Sequence, residues 1–485
     1  MIKISIYEIA YFIVLVLVCT RIIYDARSPA KTLAYLLFVV FLPIAGMAFY
    51  FSFGINYRKR KIYSKKIIDD DNLARKITDS ILTSSLETYR EHLSFLQSHR
   101  ELAYMLAKDS MSALTGNNKV DLLVNGEHKF PEVLAALENA KHHIHLEYYI
   151  FENDEIGKAI EDVLVRKAKE GVEVRFIYDD FGSRSIRKNL AKRLKNAGVK
   201  AFPFYKVLFI LLANRLNYRN HRKIIVIDGS VGFVGGINVS DRYINKNDNP
   251  TQIFWRDTHL RIEGPGVNYL QYLFLCDWNF CADDHLHPNK IFFPPATSLT
   301  VKDDKVVQIA ASGPDSDTPT ILYSVLEAIN LGTREILITT PYFIPGESIM
   351  DALIVASLGG VSVKILVPYK SDSVIVNAAA RTYYDELIGA GVKIYLYKKG
   401  FIHAKTMVVD NKISIVGTAN MDHRSFDLNF EVNAIVYDAD LASELSTIFY
   451  NDLQDAEEID VTQWNSRPAY NQLIEKTARL ISSLL

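Results

Sequence analysis

The hydrophobic pattern of the first sixty residues predicts membrane helices. No charged residue occurs between positions 32 and 57, and the run LAYLLFVVFLPIAGMAFYFSF within them is long enough to cross the hydrocarbon core of a bilayer. A shorter apolar run, Ile9 to Cys19, precedes it and is not followed by the small-residue cleavage site of a signal peptide. Pro43 lies inside the longer run, where membrane helices tolerate proline. We therefore expect a helical hairpin in the membrane.

Basic residues predict the orientation of this hairpin. The loop between the two apolar runs carries Arg21, Arg27 and Lys31. The segment after the second run carries more, namely Arg58, Lys59, Arg60, Lys61, Lys65 and Lys66. Because the larger basic cluster stays inside, we expect a multi-pass protein of the cell membrane with its N-terminus and main body in the cytoplasm. The same cluster can attract anionic lipid headgroups.

The rest of the chain alternates between helical and strand patterns. Residues 69–114 have the helical spacing of apolar residues and contain no Pro or Gly, which predicts a helical connector. The following pattern of amphipathic helices and apolar strands occurs twice: FPEVLAALENAKHHIHLEYYIF matches TILYSVLEAINLGTREILITTPYF, VEVRFIYDD matches VSVKILVPY, and NAGVKAFPFY matches GAGVKIYLY. We predict an α/β protein with two similar halves, each with a largely parallel sheet, around a pseudo-twofold site. The parts are the membrane helices with the basic segment (1–66), the connector (67–118) and the two halves (119–300 and 301–485).

Composition adds two constraints. The 55 Lys and Arg residues nearly cancel the 56 Asp and Glu residues, which argues against a surface that binds nucleic acid. The three cysteines, Cys19, Cys276 and Cys281, lack the spacing of zinc ligands and predict free thiols in a reducing compartment.

Each half contains the same arrangement of polar residues after its repeated helices and strands. The first half contains NHRKIIVIDGSVGFVGGINVSDR, and the second contains IHAKTMVVDNKISIVGTANMDHR. Both fit H-x-K-x4-D followed by Gly and then Asn. The residues are His221, Lys223, Asp228, Gly235 and Asn238 in the first half, and His403, Lys405, Asp410, Gly417 and Asn420 in the second. One such pattern is a weak signal, but two at matching places of a repeat are hard to attribute to chance.

The spacing within these motifs indicates phosphodiester chemistry. Residues two apart on a strand point to the same side, so His221 shares a face with Lys223, as His403 does with Lys405. When the halves meet, two imidazoles, two ammonium groups and two amides surround one point. The lysines and asparagines can bind non-bridging oxygens, while one histidine attacks phosphorus and the other protonates the leaving alcohol.

The paired motifs resemble those of the phospholipase D superfamily. Two further stretches, WRDTHLRIEGPG and GTANMDHRSFDLNFE, are similar to the bacterial cardiolipin synthase branch, as is ARSPAKTLAYLLFVVFLPIAG in the hairpin. Thr418 stands where many members have serine and keeps the hydroxyl. The resemblance covers nearly the whole chain. It implies a membrane phosphatidyltransferase that converts two phosphatidylglycerol molecules into cardiolipin and glycerol.

The resemblance also implies the roles of the histidines. It implies catalysis without metal or cofactor through a phosphatidyl-histidine, with His221 as the nucleophile and His403 as the acid and then the base. The residues alone leave this order open, since both halves offer the same groups. Each histidine needs a carboxylate to fix its tautomer, and Asp257 and Glu431 lie at similar distances after their histidines and fit that role.

Other polar residues have more than one interpretation. Asp228 and Asp410 either act directly in the chemistry or anchor loops. Two histidines and several carboxylates can also bind a metal ion, but a lysine beside each histidine repels a cation. The cluster His142, His143 and His145 lies at a helix-to-strand turn and is better explained by core or surface histidines.

An insertion precedes the motif of the first half. Tyr397 leads to His403 through KKGFI, whereas Tyr205 leads to His221 through KVLFILLANRLNYRN. The apolar residues 207–212 in this insertion form either a packed core segment or a lip beside the site that touches the bilayer or an acyl chain.

Three other functions are compatible with parts of this pattern. A phospholipase D hydrolase would use the same residues with water as the acceptor. A nuclease of the same type is disfavoured by the membrane helices and the balanced charge. A scaffold without activity would not need two complete motifs. We therefore expect phosphatidyl transfer in a site that excludes water.

Overall fold

A computed structural model describes residues 6–25, 29–51, 71–204, 218–246, 252–295, 301, 303–314 and 316–482. Within these ranges the chain forms an N-terminal helical unit, a helical connector and two α/β halves that share one sheet. The predicted basic cluster after the hairpin and the apolar insertion 207–212 lie outside the described residues.

The N-terminal unit consists of α1 (Ile6–Tyr24), α2 (Pro29–Phe41) and α3 (Pro43–Phe49). Among the described residues, α1 is the one helix long and apolar enough to cross a membrane. The predicted second span is interrupted at Leu42, because Pro43 has no N–H to donate and disfavours helical geometry in the preceding residue. The helices pack together as a hairpin through Val18, Ile22, Val39 and Tyr50.

The connector contains α4 (Asp71–Glu91), α5 (Leu93–Leu96) and α6 (Arg100–Ser110). Its apolar side packs into the core of the second half, where Leu96, Leu102 and Leu106 are buried in the same cluster as Ile321 and Ile329. The connector is therefore part of that core rather than a free linker.

The first half alternates strands with helices. In chain order its elements are β1 (Thr115–Val124), α7 (Asn125–Glu138), β2 (His143–Tyr148), α8 (Glu155–Lys169), β3 (Glu173–Tyr178), α9 (Leu190–Asn196), β4 (Lys200–Pro203), β5 (Lys223–Ile227), β6 (Val231–Gly235), β7 (Phe254–Arg256), β8 (Thr258–Glu263) and α10 (Val267–Cys281). Helix α8 begins where Asp154 accepts the N–H of Gly157, and it buries Ile160 and Leu164 on one face. The helix ends just before Gly171, which takes the left-handed conformation (φ 93°).

The second half repeats this order with a few additions. Its elements are β9 (Lys305–Ser312), α11 (Thr320–Asn330), β10 (Glu335–Thr339), β11 (Phe343–Ile344), α12 (Glu347–Leu358), β12 (Ser362–Pro368), α13 (Val374–Gly389), β13 (Lys393–Tyr397), β14 (Gly400–Ile402), β15 (Thr406–Val409), β16 (Ile413–Gly417), β17 (Met421–Asp422), α14 (His423–Asp427), β18 (Glu431–Tyr437), α15 (Ala439–Leu453), β19 (Ala456–Glu458), α16 (Val461–Asn465) and α17 (Ala469–Ser482).

Fifteen of the described strands form one sheet that both halves share. Its order is β19-β13-β12-β10-β15-β16-β18-β9-β1-β8-β6-β5-β2-β3-β4, and the antiparallel pair β9–β1 joins the halves. Counting outward from this junction, β18, β16, β15, β10, β12 and β13 correspond to β8, β6, β5, β2, β3 and β4. The strands that follow the two motif histidines, β5 and β15, therefore occupy equivalent positions.

The prediction of a largely parallel sheet is wrong. Among the described strands of this sheet, only β2-β3-β4 and β10-β12-β13 pair in parallel. Strands β5 and β15 return through the three-residue turns 228–230 and 410–412, which are too short for the crossover that parallel pairing requires. Asp228 and Asp410 take left-handed conformations in these turns, with φ of 51° and 54°.

Among the described residues, apolar side chains form a large core in each half and another large core between them, besides smaller clusters. In β5, Ile225 and Ile227 face the core of the first half, whereas Ile224 and Val226 face the shared core. Helices α10 and α15 contribute Leu270 and Leu445 to the shared core. The halves are thus fixed to each other by apolar packing, which also fixes the position of β5, the strand that follows His221.

Candidate active site

The segments that carry the two histidines cross between the halves. The N–H of His221 donates to the Phe430 carbonyl at 3.0 Å, and the N–H of Phe430 donates to the Arg219 carbonyl at 2.9 Å. In the same way β14 pairs in parallel with β7, and the N–H of His403 donates to the Arg256 carbonyl at 2.7 Å. Each histidine is therefore held against a strand of the opposite half that leads to a carboxylate.

Each histidine contacts a carboxylate of the other half. His221 Nδ1 lies 2.8 Å from Glu431 Oε2, and His403 Nδ1 lies 2.7 Å from Asp257 Oδ2. Both carboxylates are fully buried, whereas each imidazole is 10% exposed. A carboxylate acceptor requires the proton on Nδ1, which leaves a lone pair on Nε2. In the sequence, each carboxylate follows the histidine of its own half at a similar spacing. This spacing did not indicate that each carboxylate contacts the histidine of the other half.

The two motif lysines are buried beside the histidines. Lys223 Nζ donates to the His221 carbonyl at 2.7 Å, and Lys405 Nζ donates to the His403 carbonyl. Burial lowers the pKa of Lys223 to about 7 and that of Lys405 to about 8, although the buried carboxylates oppose the shift. A bound phosphate anion would raise both pKa values again, so the site favours an anionic ligand.

The histidines are uncharged at neutral pH, whereas their carboxylates are ionised. Burial lowers the pKa of His221 and of His403 to about 4, against the attraction of their carboxylates. Burial raises the pKa of Glu431 and of Asp257, but the neighbouring histidine and lysine charges outweigh it and leave both pKa values below their ordinary range. At neutral pH the site therefore combines neutral imidazoles, which are suited to nucleophilic attack, with ionised carboxylates.

The two motif asparagines have different surroundings. Asn238 donates to the Tyr243 hydroxyl at 2.8 Å and accepts the N–H of Ile150 at 3.2 Å. Asn420 is also buried, but its Oδ1 has no hydrogen-bond partner among the described residues. The Asn420 side chain therefore has a free hydrogen-bond acceptor among the described residues, whereas both ends of the Asn238 amide are already hydrogen-bonded.

The two motif aspartates lie away from the histidines, at the far ends of β5 and β15. Asp228 accepts the N–H groups of Lys141, His142 and His143 at 2.8, 2.8 and 2.9 Å. Asp410 accepts the N–H groups of the three residues 333–335 at 2.8, 2.7 and 2.8 Å. Of the two interpretations that the sequence allowed, this geometry supports loop anchors and not a direct chemical role.

Sequence reasoning missed the groups that hold the carboxylates. The Thr418 hydroxyl donates to Glu431 Oε2 at 2.5 Å, and Asn429 Nδ2 donates to Oε1 at 3.1 Å. At the equivalent position the first half has Gly236, where an added Cβ would lie 2.1 Å from Asp257 Oδ1. The signal was present in the repeat, because VGT in one half aligns with VGG in the other.

Aromatic side chains enclose both imidazoles. Tyr149 packs edge-on against His221 with 4.9 Å between ring centres. Around His403, the ring centres of Tyr243, Trp255 and Phe401 lie at 5.9, 5.6 and 5.8 Å. Phe401 precedes His403 by two residues and could have been placed from strand periodicity, whereas the other three come from distant segments. These rings limit the access of water to the histidines.

The histidine cluster near β2 has a structural explanation. His143 and His145 are buried and share the Oε1 of Gln271, at 3.2 and 3.1 Å, while His142 is exposed. The ring of His145 also stacks on Phe274 at 4.3 Å. Within the described ranges, no group of three or more His, Cys, Asp or Glu side chains is arranged to hold a metal ion.

Comparison with known proteins agrees with this geometry. The family described as cardiolipin synthase, PLD-like domain matches residues 133–260 and again 325–453, and the phospholipase D-nuclease N-terminal family matches residues 9–54. The chain is 42% identical to a cardiolipin synthase of Alkalihalophilus pseudofirmus, over 96% of this chain and 91% of the relative. It is 41% identical to a cardiolipin synthase of Halalkalibacterium halodurans, over 99% and 94%. A solved phosphatidylserine synthase of Haemophilus influenzae shares the fold with a TM-score of 0.55 and 15% identity, over 76% of this chain and 95% of that one.

Two repeats of one α/β unit that exchange carboxylates around paired histidines define a protein of the phospholipase D type. The chain belongs to the cardiolipin synthase family of that type. The resemblance and the fold class predicted from the paired motifs are confirmed. The chain is a phosphatidyltransferase of phospholipid synthesis, and its apolar N-terminal helix associates it with membranes.

Proposed function

We propose that this enzyme converts two phosphatidylglycerol molecules into cardiolipin and glycerol through a covalent phosphatidyl-histidine. The observation that carries the proposal is the pair of imidazoles, each aligned by a buried carboxylate of the opposite half. With the proton on Nδ1, each Nε2 is available to attack phosphorus or to carry a proton. The relatives named cardiolipin synthase, at 41% and 42% identity, support the choice of lipid.

The reaction is a double displacement at phosphorus. Following the resemblance, His221 Nε2 attacks the phosphorus of the first lipid, the bond to the glycerol oxygen breaks, and His403 gives that oxygen a proton. His403 then takes the proton from a hydroxyl of the second lipid's headgroup, which attacks phosphorus and breaks the bond to His221. His403 must be protonated at the start, and the phosphate anion bound beside it raises its pKa from about 4.

The other motif residues support this chemistry in two ways. Lys223 and Lys405 neutralise the non-bridging oxygens as charge builds on them. Asn420 is the amide better suited to bind substrate, because Asn238 already has hydrogen bonds at both ends. Asp228 acts in folding and not in catalysis, as does Asp410.

The membrane places the enzyme beside its substrate. The apolar helix α1 and the matched N-terminal family support an anchor at residues 9–54. With the basic cluster on the inner side, the anchor is multi-pass and both halves face the cytoplasm.

Product analysis tests the proposal. Purified full-length enzyme in detergent is incubated with phosphatidylglycerol and excess chelator, and products are followed by mass spectrometry. We expect cardiolipin and glycerol, abolished in His221→Ala and His403→Ala and retained in His142→Ala, which removes an exposed histidine. Phosphatidic acid as the main product would identify a hydrolase instead. Loss of product with chelator would contradict metal-free catalysis.

The order of the histidines needs a separate measurement. Enzyme quenched during turnover of phosphate-labelled lipid should retain alkali-stable, acid-labile label on histidine. The label should be absent from His221→Ala. Label that persists in that variant would assign the nucleophile to His403.

A further inference from the structure

Charge is distributed unequally around the two histidines. Strand periodicity places the residue two before each histidine on the same side as the imidazole, and this residue is Arg219 in the first half but Phe401 in the second. Four residues after each motif asparagine, both halves carry an arginine, Arg242 and Arg424. The side chains around His221 and around His403 therefore differ in charge: an arginine precedes the first histidine and a phenylalanine the second.

On the side of His403, the arginine is already neutralised. Arg242 forms an ion pair with Glu152 and donates to the Ser240 hydroxyl at 3.2 Å. Its guanidinium lies 5.5 Å from the ring centre of Trp255, which packs against Phe401 at 4.9 Å. This side is aromatic, with its positive charge balanced by a carboxylate.

On the side of His221, positive charge accumulates. The guanidinium groups of Arg219 and Arg184 lie 4.4 and 4.1 Å from the ring centre of Phe181. In the part of the chain that the structure describes, neither of these two arginines forms a salt bridge with a carboxylate. The guanidinium groups are thus positioned by an aromatic face and keep most of their hydrogen-bond donors.

A third arginine completes this group, which we call the arginine cluster (Arg184, Arg219 and Arg424). Burial lowers the pKa of Arg219, and the nearby charges of Arg424 and Arg184 add to the shift. Both Arg219 and Arg424 also act on Tyr149, the ring that packs edge-on against His221 at 4.9 Å. Tyr149 is therefore a common neighbour of the cluster and of His221.

Two acids lie near the cluster, the half-buried Asp422 beside Arg424 and the buried Asp179 beside Arg219. Asp422 Oδ1 accepts the N–H of Ser425 at 2.7 Å, and backbone groups occupy both oxygens of Asp179. Asp179 Oδ1 accepts the N–H groups of Phe181 and Gly182 at 3.0 and 2.8 Å, and its Oδ2 accepts that of Asn220 at 3.2 Å. A bound anion would offset the mutual repulsion of the three arginine charges. The surroundings nevertheless fix Arg219 in place, since its carbonyl accepts the N–H of Phe430 at 2.9 Å.

We infer that the arginine cluster binds the non-reacting phosphate of the second phospholipid. The inference rests on the proposed function, because cardiolipin contains two phosphodiesters and the His–Lys–Asn groups receive only the one that reacts. Guanidinium groups bind phosphate through paired hydrogen bonds and stay charged at all physiological pH values. A bound acceptor phosphate also selects a phospholipid over water, which makes the enzyme a transferase rather than a hydrolase.

Two reactions that share the phosphatidyl-histidine test the inference. Exchange of labelled glycerol into phosphatidylglycerol uses an acceptor without phosphate, whereas cardiolipin formation uses an acceptor with one. In Arg219→Gln, we expect cardiolipin formation at limiting lipid to fall about tenfold or more, the effect of losing one charge-assisted hydrogen bond. Glycerol exchange should stay within about twofold of the wild type. Arg184→Gln, a change at an exposed residue, should shift the ratio of the two reactions in the same direction.

Arg242→Gln is the matched control, since it removes the equivalent arginine on the neutralised side and should leave the ratio unchanged. Equal losses of both reactions in Arg219→Gln would overturn the inference, as would unchanged cardiolipin formation in the Arg184→Gln, Arg219→Gln double variant. If the wild type exchanges glycerol but forms no cardiolipin, the proposed function fails as well, and this outcome is seen before any variant is compared.

Discussion

His221 of the first half shares its Nδ1 proton with Glu431 of the second half, at 2.9 and 2.8 Å from the two carboxylate oxygens. The two residues are 210 positions apart in the chain. Because His403 and Asp257 form the reciprocal pair, neither half alone contains an aligned histidine. Under the proposed mechanism, the shared sheet and the shared core are therefore required for the chemistry as well as for stability.

Glu431→Gln tests this alignment. The amide keeps the shape of the carboxylate but cannot stabilise a charged imidazole, so we expect kcat to fall by about 10²- to 10⁴-fold with little change in KM. Steady-state kinetics in mixed micelles measure the effect. In a His221→Ala background the same substitution should cause no further loss, because the two residues act as a unit. An effect confined to KM would assign Glu431 to binding.

Thr418 is predicted to support Glu431 through its hydroxyl. It donates to Glu431 Oε2 at 2.5 Å and accepts the N–H of Val432 at 2.9 Å. Thr418→Val keeps the volume but leaves the buried Val432 N–H without this acceptor and removes one of the hydrogen bonds to Glu431, so the free energy of unfolding should fall by about 1.5–3 kcal/mol and kcat should fall with it. Thr418→Ser retains the hydroxyl and should behave like the wild type. Chemical denaturation that finds the Val and Ser variants equally stable would refute this role.

The sequence predicts contacts between residues that are close along the chain, and it does not predict contacts between residues that are far apart along it. Strand periodicity correctly places His221 with Lys223, because both belong to one local segment. The pairing of His221 with Glu431 depends on two segments that cross between halves, and no local spacing encodes that contact. The same limit explains the wrongly predicted parallel sheet, since parallel or antiparallel pairing is decided by turns such as 228–230 rather than by the apolar pattern of a strand.

Asp410 is predicted to affect stability more than turnover. Burial raises its pKa, but the hydrogen bonds that it accepts from the Thr333 hydroxyl and from backbone N–H groups outweigh this and keep the pKa below the ordinary value. A carboxyl with a lowered pKa contributes stability that is present above its unfolded pKa of about 3.9 and is lost as the pH falls through the folded value. Asp410→Ala should therefore lower the free energy of unfolding by about 1–2 kcal/mol near neutral pH, and by less in acid.

The folded fraction of Asp410→Ala should keep kcat within about twofold of the wild type, as expected for a residue outside the reacting groups. Asp410→Asn retains one acceptor oxygen and a residue type that tolerates the left-handed conformation (φ 54°), so its stability should be intermediate. A loss of turnover in a fully folded Asp410→Asn protein would restore a chemical role.

Gly236 is predicted to be required by the carboxylate beside it. A Cβ at this position would lie 2.1 Å from Asp257 Oδ1, so Gly236→Ala must displace the group that aligns His403. We expect kcat to fall by about 10²-fold or more, towards the effect of removing the carboxylate. Gly389→Ala is the control, because nothing lies within 4 Å of its added Cβ. Equal activity of the two variants would show that Asp257 can move without cost.

The buried lysines predict the pH dependence of the reaction. Lys223 and Lys405 have pKa values of about 7 and about 8, so in the free enzyme they lose their protons as the pH rises through these values. The positive charge that the phosphate needs is lost with these protons. Because kcat/KM reports the free enzyme, it already declines with rising pH above the His403 pKa of about 4, and it should fall more steeply above about pH 7–8. A bound phosphate raises both lysine pKa values, so kcat should begin to fall at a higher pH than kcat/KM.

Glycerol exchange should follow the same profile as cardiolipin formation, because both use these lysines. Lys398→Met removes a surface lysine paired with Glu457 and should leave the profile unchanged. A kcat/KM profile whose slope does not steepen between about pH 6 and about pH 9, in a protein whose circular dichroism is constant over that range, would mean that the lysines remain charged without substrate and that anion binding is not coupled to their protonation.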